Sequence, residues 1–173
     1  MVDNFDFEAQ ADALHAMLEG KDEACIDCGD THIQWASVSN GVWLCTACSG
    51  KHRALGTHLS FVRSLTLDRW KPEHLAMMQI AGGNAKLRAV FAEKDFASLD
   101  LAQRYSHPLI VEYRNKLFDA AYAKLGLDGP AERARRQADI DKWKNAPRAA
   151  KSFSSPSANP VVAAKQPTCC GCF

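Results

Sequence analysis

Two pairs of cysteines carry the first chemical signal in the chain. Cys25-Ile-Asp-Cys28 and Cys45-Thr-Ala-Cys48 are separated by sixteen residues, giving C-x2-C-x16-C-x2-C. Two residues between cysteines let both sulfurs of a knuckle face one centre. Two such knuckles supply four thiolates, the closed tetrahedral set of a structural zinc site. A tetrahedron of thiolates accepts iron as well; the reading taken is one structural Zn2+, against the bland alternative of four buried free cysteines. With every position filled by protein, no open position remains for an activated water, so the metal is expected to hold the fold. Because metal binding supplies folding free energy, loss of Cys25 is expected to unfold the module. Cys169, Cys170 and Cys172 form a second cluster at the far end of the chain. Cys170 stands fourth from last with Phe173 in final place, the register of a prenylation box. S-acylation and an unmodified thiol cluster are the competing readings of these three candidate lipidation sites.

Periodicity indicates the elements that must position the knuckles. Phe7, Ala11, Leu14 and Leu18 recur at helical spacing in an acidic N-terminal segment, and Gly20 is a plausible stop. Trp35 to Val38 and Val42 to Leu44 flank Asn40-Gly41, a pair suited to a type I′ turn, so the spacing predicts a β-hairpin between the knuckles. Phe61 to Leu67 offers a third strand. From Pro72 onward the pattern is helical, with Leu75 and Met78 on one face, a break at Gly82-Gly83, and Asn84 as the expected cap of the next helix, which carries Leu87 and Phe91. Pro108 is placed as a first-turn proline, ahead of an Ile110, Tyr113, Leu117, Ala121 stripe that runs down to Gly126.

The composition sets outer bounds. A chain of 173 residues, 47% apolar and 24% charged, suits one globular domain with an appendage. Its net charge of +1 disfavours a globally basic nucleic-acid binder. No apolar run approaches the about 18 residues of a membrane span, and the acidic start lacks a signal peptide's basic region. A cytosolic chain is therefore expected, where seven cysteines are not a disulfide framework.

Read on from the second knuckle, Cys45-Thr-Ala-Cys48-Ser-Gly-Lys-His-Arg53 continues through Leu55-Gly-Thr-His58-Leu-Ser60 to Ser64-Leu-Thr-Leu-Asp68. With Trp35 ahead of the hairpin turn and Gly83-Asn84 later, this string resembles the Arf GTPase-activating protein (ArfGAP) family, from about Leu18 to Leu125. The His58 to Arg63 run and Trp70-Lys71 look most like the small Golgi-type members. The chain departs from many members at Thr46-Ala47, where they carry an aliphatic residue followed by an acid.

The resemblance implies an α+β fold: a four-cysteine zinc module with a small antiparallel sheet, surrounded by helices. It implies an ArfGAP-like zinc domain over residues 1–127, with the finger at 25–48. A charged helix is expected at 128–145 and a disordered tail at 146–173. The implied function is activation of GTP hydrolysis on GTP-loaded Arf-family GTPases in vesicle trafficking, as an activator and not itself an enzyme. Arg53 stands where the family keeps its catalytic arginine, and a guanidinium stabilises the charge that builds on the transferring phosphoryl group. Trp35, Thr46, Lys51 and Asp68 are the expected finger supports or GTPase contacts. His58 is expected to be a hydrogen-bonding core histidine, since the cysteines saturate the metal. The chain carries no G-x4-G-K-[ST] loop, so nucleotide and magnesium must come with the partner, and no small-molecule substrate of its own is expected.

Charge asymmetry fits such a partner or an anionic membrane surface. Residues 49–71 hold five bases against Asp68, whereas the first 24 hold seven acids against Lys21. Peripheral association with Golgi or other endomembranes is the expected location of this cytoplasmic chain. Two other classes compete with GTPase activation: a zinc-finger nucleic-acid binder and a catalytically silent Arf-binding scaffold. The first should show a concentrated basic recognition helix, which the segment after Cys48 does not offer.

Overall fold

Ile33–Ser37 (β1) and Val42–Cys45 (β2) pair antiparallel, with Ser37 opposite Val42 and Ile33 opposite Cys45. Val62–Ser64 (β3) lies antiparallel on the other side of β1, giving the sheet order β2-β1-β3. The computed structural model describes residues 7–19, 23–92 and 96–145, except for the side chains of residues 7, 97, 143 and 144. Seven α-helices occur among these residues: α1 (Phe7–Leu18), α2 (Thr46–Ala54), α3 (Pro72–Ala81), α4 (Ala85–Ala92), α5 (Leu101–Ser106), α6 (Pro108–Lys124) and α7 (Gly129–Asn145). Residues up to Arg135 make one compact unit, and α7 carries the chain past its end. Gly20, the expected end of the first helix, lies outside the described residues. So do the proposed tail 146–173 and its Cys169, Cys170 and Cys172.

The α+β arrangement matches the expectation, but the hairpin turn does not. Val38–Asn40 form a 3-10 turn and only Gly41 takes the left-handed conformation, at φ 63°. The reason is that both residues assigned to strand or turn tip are needed inside. Val38 is 1% exposed and belongs to the core, and the buried Asn40 amide donates to Ser37 Oγ at 2.7 Å and to the Leu59 carbonyl at 3.0 Å. A two-residue I′ turn would push Asn40 into solvent. The third strand is also shorter than Phe61 to Leu67. After Ser64 the chain turns, because Asp68 Oδ2 accepts the Ser64 N–H at 2.7 Å and Ser64 Oγ accepts the Leu67 N–H at 3.1 Å.

The main core joins α1 (Leu14, Met17), the sheet (Ala36, Trp43), α3 (Met77, Met78, Ala81), α6 (Leu117, Ala121) and Trp70. Pro72 opens α3 at its first turn and Gly82 closes it in the left-handed conformation, as the helix-break reading requires. A second cluster unites Val42, Leu87, Phe96, Tyr105 and Ile110. Asn84 stands at the start of α4 as expected, its carbonyl accepting the Arg88 N–H at 3.0 Å, while its side chain reaches elsewhere. Its fully buried side chain accepts the Trp43 N–H at 2.8 Å and donates to the Ala24 carbonyl at 2.7 Å, stitching the segment before the first knuckle to β2.

Candidate functional site

The hairpin brings the two knuckles together. The sulfurs of Cys25, Cys28, Cys45 and Cys48 all lie within 4.8 Å of one another, with Cys28 and Cys45 at 3.6 Å. A zinc tetrahedron with bonds of about 2.3 Å has sulfur–sulfur edges of about 3.8 Å, so these four residues fit the ion. Cys25, Cys45 and Cys48 are buried and Cys28 is exposed, leaving one flank of the cluster to solvent. Burial, followed by the neighbouring Cys28 and Cys25 sulfurs, pushes the Cys48 thiol far above its ordinary range. A bound cation is what makes a thiolate tenable there.

The cluster also starts the helix that carries Arg53. Cys45 is the N-cap of α2, and its Sγ accepts the Cys48 N–H at 3.5 Å. Lys51, His52 and Arg53 fill the last turn, where positive charge complements the helix dipole. Lys51 and Arg53 are exposed. The Arg53 guanidinium lies over the half-buried Trp35 ring, its central carbon 4.2 Å from the ring centroid. Trp35 comes from β1, the strand paired with both others, so the aromatic platform is fixed to the sheet. The arrangement offers one solvent-facing guanidinium, restrained by a cation–π contact, at the end of a helix that begins in the four-cysteine cluster.

The remaining expected site residues fall at different places. Thr46, on the first turn of α2, donates its hydroxyl to Gln34 Oε1 at 2.8 Å on the surface. Asp68 accepts from Ser64 N–H and lies 3.3 Å from Arg63 Nη1, while its carbonyl accepts Gln10 Nε2–H at 3.0 Å. Its described carboxylate partners thus belong to the turn after β3 and to Arg63. His58 is exposed, contrary to expectation. The buried histidine is His52, with Ser60 Oγ 2.8 Å from Nδ1 and Asp27 Oδ2 2.8 Å from Nε2. His52 follows Cys48 and Ser49 at helical i, i+4 and i, i+3 spacing, so it shares their inward face, whereas His58 lies beyond the end of α2. That spacing was the signal available in the sequence.

Asp27, between the cysteines of the first knuckle, is the other residue that sequence reasoning passed over. Besides His52 it faces Tyr105, whose hydroxyl donates to Oδ1 at 3.2 Å, and Arg104 Nη1 at 3.6 Å. Burial, then the Asp27 carboxylate, holds the Tyr105 hydroxyl well above its usual titration range, so it remains a donor.

Comparison with known proteins agrees with this geometry. The ArfGap family model, described as a candidate GTPase activating protein for Arf, matches residues 11–124. The ADP-ribosylation factor GTPase-activating protein GCS1 of Saccharomyces cerevisiae is 38% identical over 117 residues, 65% of this chain and 33% of that protein. The ADP-ribosylation factor GTPase-activating protein 3 of Rattus norvegicus is 44% identical over 96 residues, 55% of this chain and 18% of that protein. The chain thus spans a third or less of the length of these two relatives. Among solved structures, a crystal structure from Cryptosporidium parvum, presented as a candidate GTPase activating protein for ADP ribosylation factor, superposes with a TM-score of 0.58 at 28% identity. It covers 67% of this chain and 94% of that one. With a family match across most of the folded unit, and a four-cysteine cluster and antiparallel sheet in agreement, the chain belongs to the ArfGAP family.

Proposed function

We propose that this chain is a GTPase-activating protein for Arf-family GTPases, with Arg53 as the guanidinium inserted into the partner's nucleotide site. The observation that carries this reading is the Arg53–Trp35 stack on the exposed end of a helix capped by a cluster cysteine. Hydrolysis spreads negative charge over the transferring phosphoryl oxygens, and an arginine supplied in trans is worth about 10³–10⁵ in rate. Cys25, Cys28, Cys45 and Cys48 would hold one structural zinc ion, whose chemistry is to fix the two knuckles. The protein's own contribution is orientation: α2 is anchored before the partner arrives, so less ordering entropy is lost on insertion. Lysine cannot replace the finger, lacking the planar fork of donors. Trp35, Thr46, Lys51 and Asp68 are assigned as finger support or GTPase contacts, and residues 1–127 as the domain that acts.

The GTPase, its nucleotide and magnesium complete the site, and nucleic acid has no part in it. Action on membrane-bound Arf places the chain at the cytoplasmic face of the Golgi or other endomembranes, with lipidation at Cys169, Cys170 or Cys172 as an added anchor. Among the described residues no helix is long and apolar enough to cross a membrane. The deciding experiment is single-turnover hydrolysis on GTP-loaded Arf, comparing wild type with Arg53→Lys. The variant should lose at least about a hundredfold in maximal rate with zinc content and fold intact. Equal rates would overturn the assignment.

A further inference from the structure

Beside the finger, a buried line of hydrogen bonds crosses the unit. His52 is 0% exposed and adjoins Arg53 in the last turn of α2. Assigned from its partners, the ring donates Nε2–H to Asp27 Oδ2 at 2.8 Å and accepts the Ser60 hydroxyl at Nδ1, also at 2.8 Å. Ser60 Oγ in turn lies 2.8 Å from Ser37 Oγ, which takes the Asn40 Nδ2–H at 2.7 Å. Every hydrogen in this line points toward the Asp27 carboxylate when Ser37 donates to Ser60. The line joins the first knuckle, α2, the loop before β3, the end of β1 and the hairpin turn.

A serine, histidine and aspartate in this order also describe a nucleophile, its base and an orienting acid. Burial removes that reading, because Ser60 is 1% exposed and offers no carbonyl substrate a route to its hydroxyl. What the arrangement does supply is a second anchor for α2. The metal fixes only the start of the helix, through Cys45 and Cys48, whereas Arg53 lies in the last turn. Consecutive residues are about 100° apart around a helix, so pinning the His52 ring inward turns the Arg53 side chain toward Trp35 on the central strand β1. A fully buried polar line tolerates little displacement, since moving one member leaves others without partners in a dry interior.

We infer that Asp27, His52 and Ser60 form a positioning clamp that sets the rotation of the α2 end and so holds Arg53 over Trp35. The inference rests on Arg53 being the finger for its catalytic consequence, but not for its structural one. Both consequences are measurable in the zinc-loaded full chain.

The structural readout is the ring-current shift of the Arg53 side-chain protons over Trp35, followed by NMR. In Ser60→Ala and Asp27→Ala this shift should collapse toward its value in Trp35→Ala, with zinc stoichiometry and amide dispersion retained. Asp27→Asn, which keeps one acceptor for Nε2–H, should restore most of it. The kinetic readout is single-turnover hydrolysis on GTP-loaded Arf. Ser60→Ala should lower the maximal rate by about tenfold to a hundredfold, without shifting the half-saturating GTPase concentration. In an Arg53→Lys background the same change should have no further effect. A retained ring-current shift in folded, zinc-loaded Ser60→Ala overturns the clamp, as does an equal loss with and without Arg53. Should Asp27→Ala fail to fold beside the metal, Ser60→Ala, on the loop before β3, carries the test. If Arg53→Lys alone proves fully active, the finger assignment falls while the NMR arm still decides the clamp.

Discussion

The Arg53 guanidinium and the Trp35 ring are stacked at 4.2 Å, although seventeen residues and a strand-to-helix transition separate them in the chain. Such a contact contributes about 0.5–1 kcal/mol at an exposed site. That is enough to bias a flexible side chain toward one rotamer and too little to trap it there. Trp35→Ala should therefore lower the maximal GTPase-stimulating rate about twofold to fivefold, while Trp35→Phe keeps part of the stack and most of the rate. Stimulated hydrolysis under single-turnover conditions, with urea unfolding alongside, separates the kinetic effect from any loss of fold. An unchanged rate in Trp35→Ala would remove Trp35 from the finger.

Removal of the metal should act on structure before chemistry. The third cluster of buried residues is built from Cys25, Leu44, Cys45 and Cys48, with Ile26, Ile33 and Trp35 only partly buried against it. Chelation should therefore abolish stimulated hydrolysis and melt the knuckles and α2 together, and added Zn2+ should restore both. Far-UV circular dichroism during titration with a chelator follows this. Cys25→Ser should behave as the chelated protein. A chelated protein that keeps both its spectrum and its activity would show that the cluster is not a structural metal site.

Asn84→Ala tests whether the stitch between the segment before Cys25 and β2 matters to stability. The substitution strands the buried Trp43 N–H, while the Ala24 carbonyl loses one donor and keeps Arg88 Nη2 at 3.0 Å. One stranded buried group costs about 1–3 kcal/mol, and a loss of that size is expected in denaturant unfolding of the zinc-loaded protein. The folded fraction should retain its maximal rate, because Asn84 has no described contact with α2 or Trp35. A loss below about 0.5 kcal/mol, the size of an ordinary surface change, would contradict the stitch.

Gly41→Ala should be more damaging than its position at a turn suggests. The backbone there is left-handed, at φ 63°, and an added Cβ would collide with the Ala81 methyl and come within 2.8 Å of Leu117 Cδ2. Strain and overpacking combine, and about 2–4 kcal/mol of destabilisation is expected, visible as a lower unfolding midpoint. Gly29→Ala and Gly82→Ala, also left-handed but with open space around the added methyl, serve as references that carry the conformational cost alone.

Much of this protein was legible in its residues. The C-x2-C spacing determined the four-cysteine cluster because two intervening residues leave the sulfurs of a knuckle little choice of direction. Pro72 and Gly82 bounded α3, and the Ile110, Leu117, Ala121 stripe identified the buried face of α6, because capping and periodicity are local properties of the backbone. The hairpin was legible as a pairing but not as a turn. Asn40-Gly41 carries a strong local preference, and burial of Val38 and Asn40 overrode it.

The polar interior was decided only by the tertiary structure. Asn84 was a good helix cap on local grounds, yet its side chain serves Trp43 and Ala24, 41 and 60 residues away. His58 was the expected buried histidine, yet α2 packs His52 against Asp27 and Ser60, partners 25 and 8 residues away. The same packing laid Arg53 on Trp35. A buried donor or acceptor must find a partner wherever the chain brings one. Which partner that is depends on contacts between distant segments, and no local pattern records them.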